Sequence, residues 1–343
     1  MTDTLTIHRA GPGLTLQDMG RPGYLALGLS RGGAADRLAL AEGAALLGQS
    51  TDLTAIEMTG MGGEFEATRD TSIALTGAPM AAAIDGTRIA WNASHTLPAQ
   101  ARLTIGSASE GVYGYLHVGG GVHPPERLGA HSAHLAAGIG GPLEAGNRID
   151  LGPDDRTTTG LMLPKDSRFA GGTIRILPSI HTDAFPQDLC TRFEDTAFTR
   201  DTRGNRMGVQ LKWEGDGFLP EIGRKIVSEV IMPGDIQIIG DGTPYVLLSE
   251  CQTTGGYPRI ATVLPCDLPR IAQAPAGAPL SFRFVTLEDA VEAERKAAQA
   301  VADLPKRRQP LIRDPATIPN LLAYQLISGM TAGRELDPEG ACQ

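Results

Sequence analysis

The stretch Ala82-Ala83-Ile84-Asp85-Gly86-Thr87-Arg88-Ile89-Ala90-Trp91 sets an Asp-Gly pair between two short runs of strand-forming residues. Asp and Gly both tolerate the positive backbone angles of a primed turn, so this stretch predicts a tight β-hairpin. The pattern returns at Asp241-Gly242, between runs at 236–239 and 245–248. Further runs at 71–76, 112–118, 173–177, 260–264 and 281–285 have strand length and are bounded by Gly, Pro or Asp. The 343 residues include 43 Gly and 24 Pro, and such dense punctuation suits many short strands better than a helical bundle. Long helices do not alternate with these runs, so a doubly wound parallel sheet fits poorly and closed antiparallel sheets fit well.

Helices are few. Asp36 opens a pattern in which Leu38, Ala41 and Ala45 share a face, with an N-cap at Asp36 and a C′ glycine at Gly48. Thr286-Leu287-Glu288-Asp289 resembles a capping box, and an Ala-rich helix follows through Val301 until Pro305 ends it. Residues 305–319 hold four prolines and read as a linker. Residues 321–327 form an apolar segment expected to pack back on the body, and the final ten residues are expected to be loose.

Composition excludes several function classes. Thirty basic against 39 acidic residues give a net charge of −9, with no basic stripe of the kind that nucleic acid requires. No apolar run is long enough to span a membrane, and residues 1–5 carry no leader-like pattern. The four cysteines, at 190, 251, 266 and 342, form no CxxC pair, which predicts reduced thiols and a cytoplasmic protein. Gly119-Gly120-Gly121 and Gly138-Ile139-Gly140-Gly141 lack the Lys-Ser/Thr end of a phosphate-binding loop. The chain has no Met-Lys dipeptide and so no biotin attachment site of its own. His131 and His134 have chelating spacing, but no cysteine or glutamate partner accompanies them, so no metal is expected.

Two segments carry a more specific signal. The first runs Gly11-Pro12-Gly13-Leu14-Thr15-Leu16-Gln17-Asp18-Met19-Gly20-Arg21-Pro22-Gly23-Tyr24 and continues to Gly32-Gly33-Ala34-Ala35-Asp36. The second runs Gln252-Thr253-Thr254-Gly255-Gly256-Tyr257-Pro258-Arg259-Ile260-Ala261-Thr262-Val263 and closes at Asp267-Leu268-Pro269. Together they resemble the biotin-dependent carboxyltransferase family, which includes the 5-oxoprolinase C subunits, the KipA proteins and allophanate hydrolase subunit 2. The resemblance covers about residues 5–290 and a Leu-Ile-Ser-Gly at 326–329. It implies a mainly β protein of two cyclophilin-like β-barrel domains, a few short helices and a C-terminal helical tail. The expected domains are 1–180 and 181–290, with 291–343 as helix, linker and tail.

The resemblance also implies partners. They are a KipI-like B subunit forming a B–C complex, a possible A subunit, and a small amide or lactam substrate. Under a 5-oxoprolinase reading the complex opens 5-oxo-L-proline to glutamate with ATP. Under a carboxyltransferase reading it moves CO2 from carboxybiotin, delivered by a carrier, to urea or a related amide. A KipA-like regulatory role without catalysis is the third alternative. No cofactor is assigned to this chain alone.

The motif residues suit such chemistry. Gln17 and Gln252 each offer one acceptor and two donor hydrogens to a planar N–C=O edge. Arg21 offers a rigid donor fork, and Asp18 can orient it or meet a substrate N–H. Thr253 and Thr254 give hydroxyls, Gly255 and Gly256 bring backbone N–H groups close, and Tyr257 walls the pocket. Gln17, Asp18, Arg21, Gln252, Thr253 and Thr254 are therefore the catalytic candidates, and Gly255, Gly256, Tyr257 and Arg206 the substrate- or anion-binding ones. The sequence departs from the family pattern at His131 and Gln210, where arginines are usual. The same residues also read as a scaffold: Asp36 as a helix cap alone, and both motifs as a domain junction or partner interface.

Overall fold

The computed structural model describes residues 3–155, 158–220 and 226–312. The expectations for residues 321–327, for 326–329, for Cys342 and for the loose end lie outside them. Both hairpins form. Ile84 pairs with Thr87 across Asp85 (φ 46°) and Gly86 (φ 79°). Ile238 pairs with Pro244, and the Gly242 N–H donates to the Ile239 carbonyl at 2.7 Å.

The N-terminal half builds two sheets. One has six strands in the order Arg148–Asp150, Thr4–Arg9, Glu64–Ala67, Arg102–Ala108, Met80–Ile84, Thr87–Ile89. The other has seven: Thr15–Gln17, Ala55–Thr59, Tyr113–Val118, Thr71–Gly77, Ala93–Leu97, Leu161–Met162, Gln309–Pro310. Their inward residues share one core, with Leu5, Ile7, Phe65, Leu103 and Ile105 meeting Ile56, Met58, Ile73, Leu75 and Leu116. The period-2 alternation of Thr4–Arg9 and Arg102–Ala108 follows from that one-sided burial.

The C-terminal half closes a seven-stranded barrel in the order Gly172–Leu177, Arg259–Val263, Asp235–Ile238, Pro244–Leu247, Gly208–Lys212, Phe198–Asn205, Pro279–Phe284. Closure leaves none of its strands with a free edge. The strand Gly172–Leu177, which precedes the expected boundary at 180, is one of these seven and pairs in parallel with Pro279–Phe284.

Helix α1 (Arg37–Leu47) forms as the sequence predicts. Asp36 accepts from the Ala39 N–H at 3.2 Å, and Gly48 takes the left-handed conformation (φ 65°). Its position 43 must be glycine, because a Cβ there would run into the His117 imidazole. Helix α2 (Gln187–Asp195) and the short α3 (Leu268–Gln273) have no counterpart in the sequence reading. Phe193 of α2 sits among Phe198, Phe218 and Phe282 at centroid distances of 5.0, 5.3 and 5.2 Å and fills one end of the barrel. Helix α4 (Leu287–Ala302) starts at Thr286, which accepts from the Asp289 N–H. Beyond it the expected linker is partly ordered: Leu304–Arg307 makes a 3-10 turn and Gln309–Pro310 pairs with Leu161–Met162.

Candidate active site

The first motif forms a closed loop after the strand Thr15–Gln17. Ala34 donates to the Asp18 carbonyl at 2.9 Å and Arg21 to the Arg31 carbonyl at 2.8 Å. Only glycine fits at position 20 (φ 77°), where a Cβ would lie 2.6 Å from the Arg31 carbonyl oxygen. The Asp18 carboxylate accepts from three backbone N–H groups: Gly20 (2.7 Å), His131 (2.7 Å) and Ser132 (3.1 Å). It stitches this loop to the loop at 127–134. Gln17 is fully buried and donates to Thr15 Oγ1 (3.1 Å) and the Ala133 carbonyl (3.3 Å). Arg21 is 1% exposed and donates to the carbonyls of Arg127 (3.4 Å) and Ser132. Gln17 Oε1, Arg21 Nη1 and Ser132 Oγ are buried without a hydrogen-bond partner among the described residues. Burial pushes the Arg21 pKa down, against the raising influence of Asp18 and Glu250.

A buried ion network joins this loop to the barrel. Arg206 donates from Nε to Glu250 Oε1 at 2.5 Å, from Nη1 to Glu57 and from Nη2 to the Gly33 carbonyl. Burial opposes its charge, but Glu57 and Glu250 more than offset that and hold its pKa above the ordinary value. Glu57 also accepts from the Tyr115 hydroxyl (2.6 Å) and the Ala35 N–H (2.9 Å), and Glu250 from the Ala136 N–H (3.0 Å). Gln273, at the end of α3, accepts from Val112 and Tyr113 and donates to Asp36 and the Tyr113 carbonyl. Asp36 is thus more than a cap, since its second oxygen also receives Arg168 Nε at 2.7 Å.

The first motif's loop reaches the chain just before the second motif, where the Gly32 N–H donates to the Ser249 carbonyl at 3.0 Å. They differ in burial. Gln17, Asp18, Arg21 and Arg206 lie inside, whereas the Gln252, Thr254 and Tyr257 side chains face solvent, with Thr253 buried. Thr254–Gly255 pairs with Glu229–Val230 in a two-stranded ribbon. Gly255 and Gly256 are half-buried, and a Cβ on Gly255 would lie 2.5 Å from Gln237 Nε2. At the two departures from the family pattern, His131 Nδ1 faces the Pro124 carbonyl (2.7 Å) and Gln210 pairs with Tyr245 in the barrel wall.

The structure also assembles residues that sequence spacing does not reveal. Ser30 Oγ lies 2.9 Å from His134 Nε2, and His134 Nδ1 lies 3.9 Å from Glu250 Oε2. All three are under 5% exposed. Burial lowers the His134 pKa, Glu250 opposes this, and Arg21 and Arg206 reinforce it, so the imidazole is neutral. His131 and His134 serve different partners, the Pro124 carbonyl and the Ser30 hydroxyl. Among the described residues no group of three or more His, Cys, Asp or Glu side chains could hold a metal ion. A cavity of about 210 Å³ opens beside the loop at 127–134, lined by Leu16, Arg127, His131, Ser132 and Ala133 among others. Larger grooves open beside Arg175 and Arg283 (about 820 Å³), reaching Asp267, and between α1 and α4 (about 540 Å³), reaching Met19 of the first motif and Pro269 of the second.

The carboxyltransferase domain family, subdomains A and B, matches residues 27–284. The chain belongs to this family. It is 34% identical over 297 residues to the 5-oxoprolinase C subunit of Escherichia coli (strain K12), covering 85% of this chain and 94% of that one. It is 27% identical to the urea amidolyase of Lachancea kluyveri over 318 residues, covering 84% of this chain but 17% of the relative. Among solved structures, TTHA0988 superposes with a TM-score of 0.74 at 28% identity. That match covers 82% of this chain, which spans about half (56%) of the TTHA0988 chain. The family match takes in the buried ion network and the whole second motif, and starts inside the first motif's loop. No helix among the described residues is long and apolar enough to cross a membrane.

Proposed function

We propose that this chain is the C subunit of an ATP-dependent 5-oxoprolinase that opens 5-oxo-L-proline to L-glutamate together with partner subunits. The extent of likeness carries the reading. The chain spans nearly all of the E. coli protein but a sixth of the urea amidolyase, so it matches the first as a whole protein and the second as one part. In the reaction the lactam carbonyl C–N bond breaks, a water oxygen enters the new carboxylate, and the nitrogen, still bonded to its α carbon, takes up the two water protons to become the ammonium group of glutamate. ATP hydrolysis drives the opening. The geometry supports a divided site. Arg21 and Gln17, held beneath the surface, suit a carboxylate or carbonyl, while exposed Gln252 and Thr254 offer amide and hydroxyl groups to the N–C=O edge. Asp18 and Arg206 act by holding the loops in place.

A KipI-like B subunit, with a possible A subunit, completes the site. Val230 and Met232 are each 54% exposed and Tyr257 is 48% exposed on or beside the ribbon that carries Thr254, an apolar fringe that a partner would cover. Covering it would also exclude water from the reacting bond. A stable B–C interface should bury at least about 1,000 Å². The test mixes this chain with the neighbouring B and A subunits, 5-oxo-L-proline and ATP. Glutamate is the expected product, and its absence from a complete, folded mixture overturns the reading.

The family's name and the likeness to urea amidolyase favour a second reading, a carboxyltransferase subunit taking CO2 from a carboxybiotin carrier. Urea-dependent decarboxylation of such a carrier, without glutamate from 5-oxo-L-proline, would put this reading in place of the first. A tight B–C complex lacking both activities would indicate the KipA-like regulatory role.

A further inference from the structure

We propose that Arg21 Nη1 and the Ser30 hydroxyl form a donor pair for one carboxylate of a small ligand, and that His134 is the positioning residue that aims the Ser30 proton. The proposal rests on reading this junction as the substrate site, but not on the substrate being 5-oxoproline.

The argument starts from the imidazole. His134 Nδ1 accepts the Ala137 N–H at 3.2 Å, so its ring proton sits on Nε2. Nε2 then donates to Ser30 Oγ at 2.9 Å. A hydroxyl that accepts from His134 must send its own proton away from the ring. Glu250, 3.9 Å from Nδ1, cannot reverse this, because it is already held by Arg206 and the Ala136 N–H. Arg21 and Arg206, the other charged groups acting on His134, both disfavour a second ring proton.

The guanidinium supplies the other donor. Arg206 is matched by two carboxylates, whereas the direct partners of Arg21 are the neutral carbonyls of Arg127 and Ser132. Its Nη1 is buried and unpartnered among the described residues. Imidazole and guanidinium share one small space. A Cβ on Gly32 would stand 2.9 Å from His134 Cδ2 and 3.5 Å from Arg21 Nη1, so only glycine lets the imidazole and the guanidinium approach the loop this closely. Ser132, whose carbonyl Arg21 holds, also lines the neighbouring 210 Å³ cavity with an unpartnered hydroxyl. An unpartnered guanidinium nitrogen and an outward hydroxyl together select a small anion that competes with Asp18 and Glu250 for the Arg21 charge, and two donors suit the two oxygens of a carboxylate.

The test uses the full chain labelled with ¹⁵N in histidine, with acetate and 5-oxo-L-proline as probes. Two-bond nitrogen–proton spectra should show His134 neutral and protonated on Nε2, and at least one probe should shift its resonances. Ser30→Ala, which removes a single oxygen, should weaken that probe about tenfold or more, as expected for one hydrogen bond to a charged group. His134→Gln keeps a donor near the Nε2 position and should stay within about threefold of the parent, while His134→Leu should match the Ser30→Ala loss. A merely structural histidine would show no such split between Gln and Leu. Protonation on Nδ1, failure of both probes to bind, or unchanged affinity in Ser30→Ala overturns the proposal. Binding of acetate alone upholds the donor pair and counts against the 5-oxoprolinase reading. Glutamate production alongside unchanged affinity in Ser30→Ala upholds that reading and removes the donor pair.

Discussion

Replacing Gln273 by Met keeps the side-chain volume but removes the hydrogen bonds through which the end of α3 grips the N-terminal half. Gln273 is fully buried and makes four hydrogen bonds, at 3.0, 2.9, 2.8 and 2.8 Å, to Val112, Tyr113, Asp36 and Tyr113 again. Three neutral bonds at about 1 kcal/mol each and one to a carboxylate at about 2 put the loss near 5 kcal/mol. That is a large share of the roughly 5–15 kcal/mol by which a domain is stable, and it corresponds to a fall in Tm of about 10–20 °C. The two tryptophans make the effect local and readable. Trp91 donates to the Gly77 carbonyl in the N-terminal half, and Trp213 packs on Phe198 and Phe218 in the barrel. Urea unfolding followed in Trp91→Phe and Trp213→Phe backgrounds should show the two halves separating into distinct transitions once Gln273→Met is added. A loss below about 1 kcal/mol, with coincident transitions, would show that these bonds do not hold the junction together.

Three further outcomes can be measured directly. Burial holds the His117 pKa down at about 3. The unfolded chain therefore binds the extra proton first, and stability should fall as the pH drops below about 6.5, by about 2 kcal/mol at pH 5; denaturation curves of His117→Gln should lack that component of the slope. Gly43→Ala ought to gain about 1 kcal/mol from helix propensity, yet its methyl meets the His117 ring, so a net loss of about 1–3 kcal/mol is expected in thermal melts. Gln252→Ala and Thr254→Ala, at exposed positions, should each cut turnover of the assembled complex about tenfold or more while leaving unfolding within about 0.5 kcal/mol of the parent; full turnover in both would remove them from the catalytic set.

Local chemistry makes much of the fold legible in the sequence. Asp85 and Gly86 both take positive backbone angles that few other pairs supply, Gly242 alone does so in the second turn, and both hairpins form there. Asp36 and Thr286 cap their helices with their own side chains, a signal that depends on three neighbouring residues. Helix α2 leaves no such mark because its buried apolar residues reduce to Cys190 and Phe193, too few to set a period. What holds Phe193 is three aromatic partners distant along the chain. The site divides along the same line. Gln17, Asp18 and Arg21 stand in one glycine-framed loop, so their association is readable. Ser30 and His134 are 104 residues apart, and Ala136 and Glu250 are 114 apart. No periodicity links residues at such separations; the folding of two halves against each other brings them into contact.

The strand Gln309–Pro310 extends the seven-stranded sheet of the N-terminal half, although the entire barrel intervenes in the chain. In topological terms the barrel is an insertion, leashed at both ends to the sheet that precedes it. During synthesis that sheet must wait for about 150 further residues after Leu161–Met162 before its outer edge is covered, a long-range closure of the kind that slows folding. Until then Leu161–Met162 is the outermost strand, with backbone groups open to pairing by other chains. The leash also constrains motion: a swing of the barrel away from the sheets would pull on α4 and peel Gln309–Pro310 from its partner. Rearrangement at the junction that holds Arg21 and Arg206 is therefore coupled mechanically to the far edge of the N-terminal sheet.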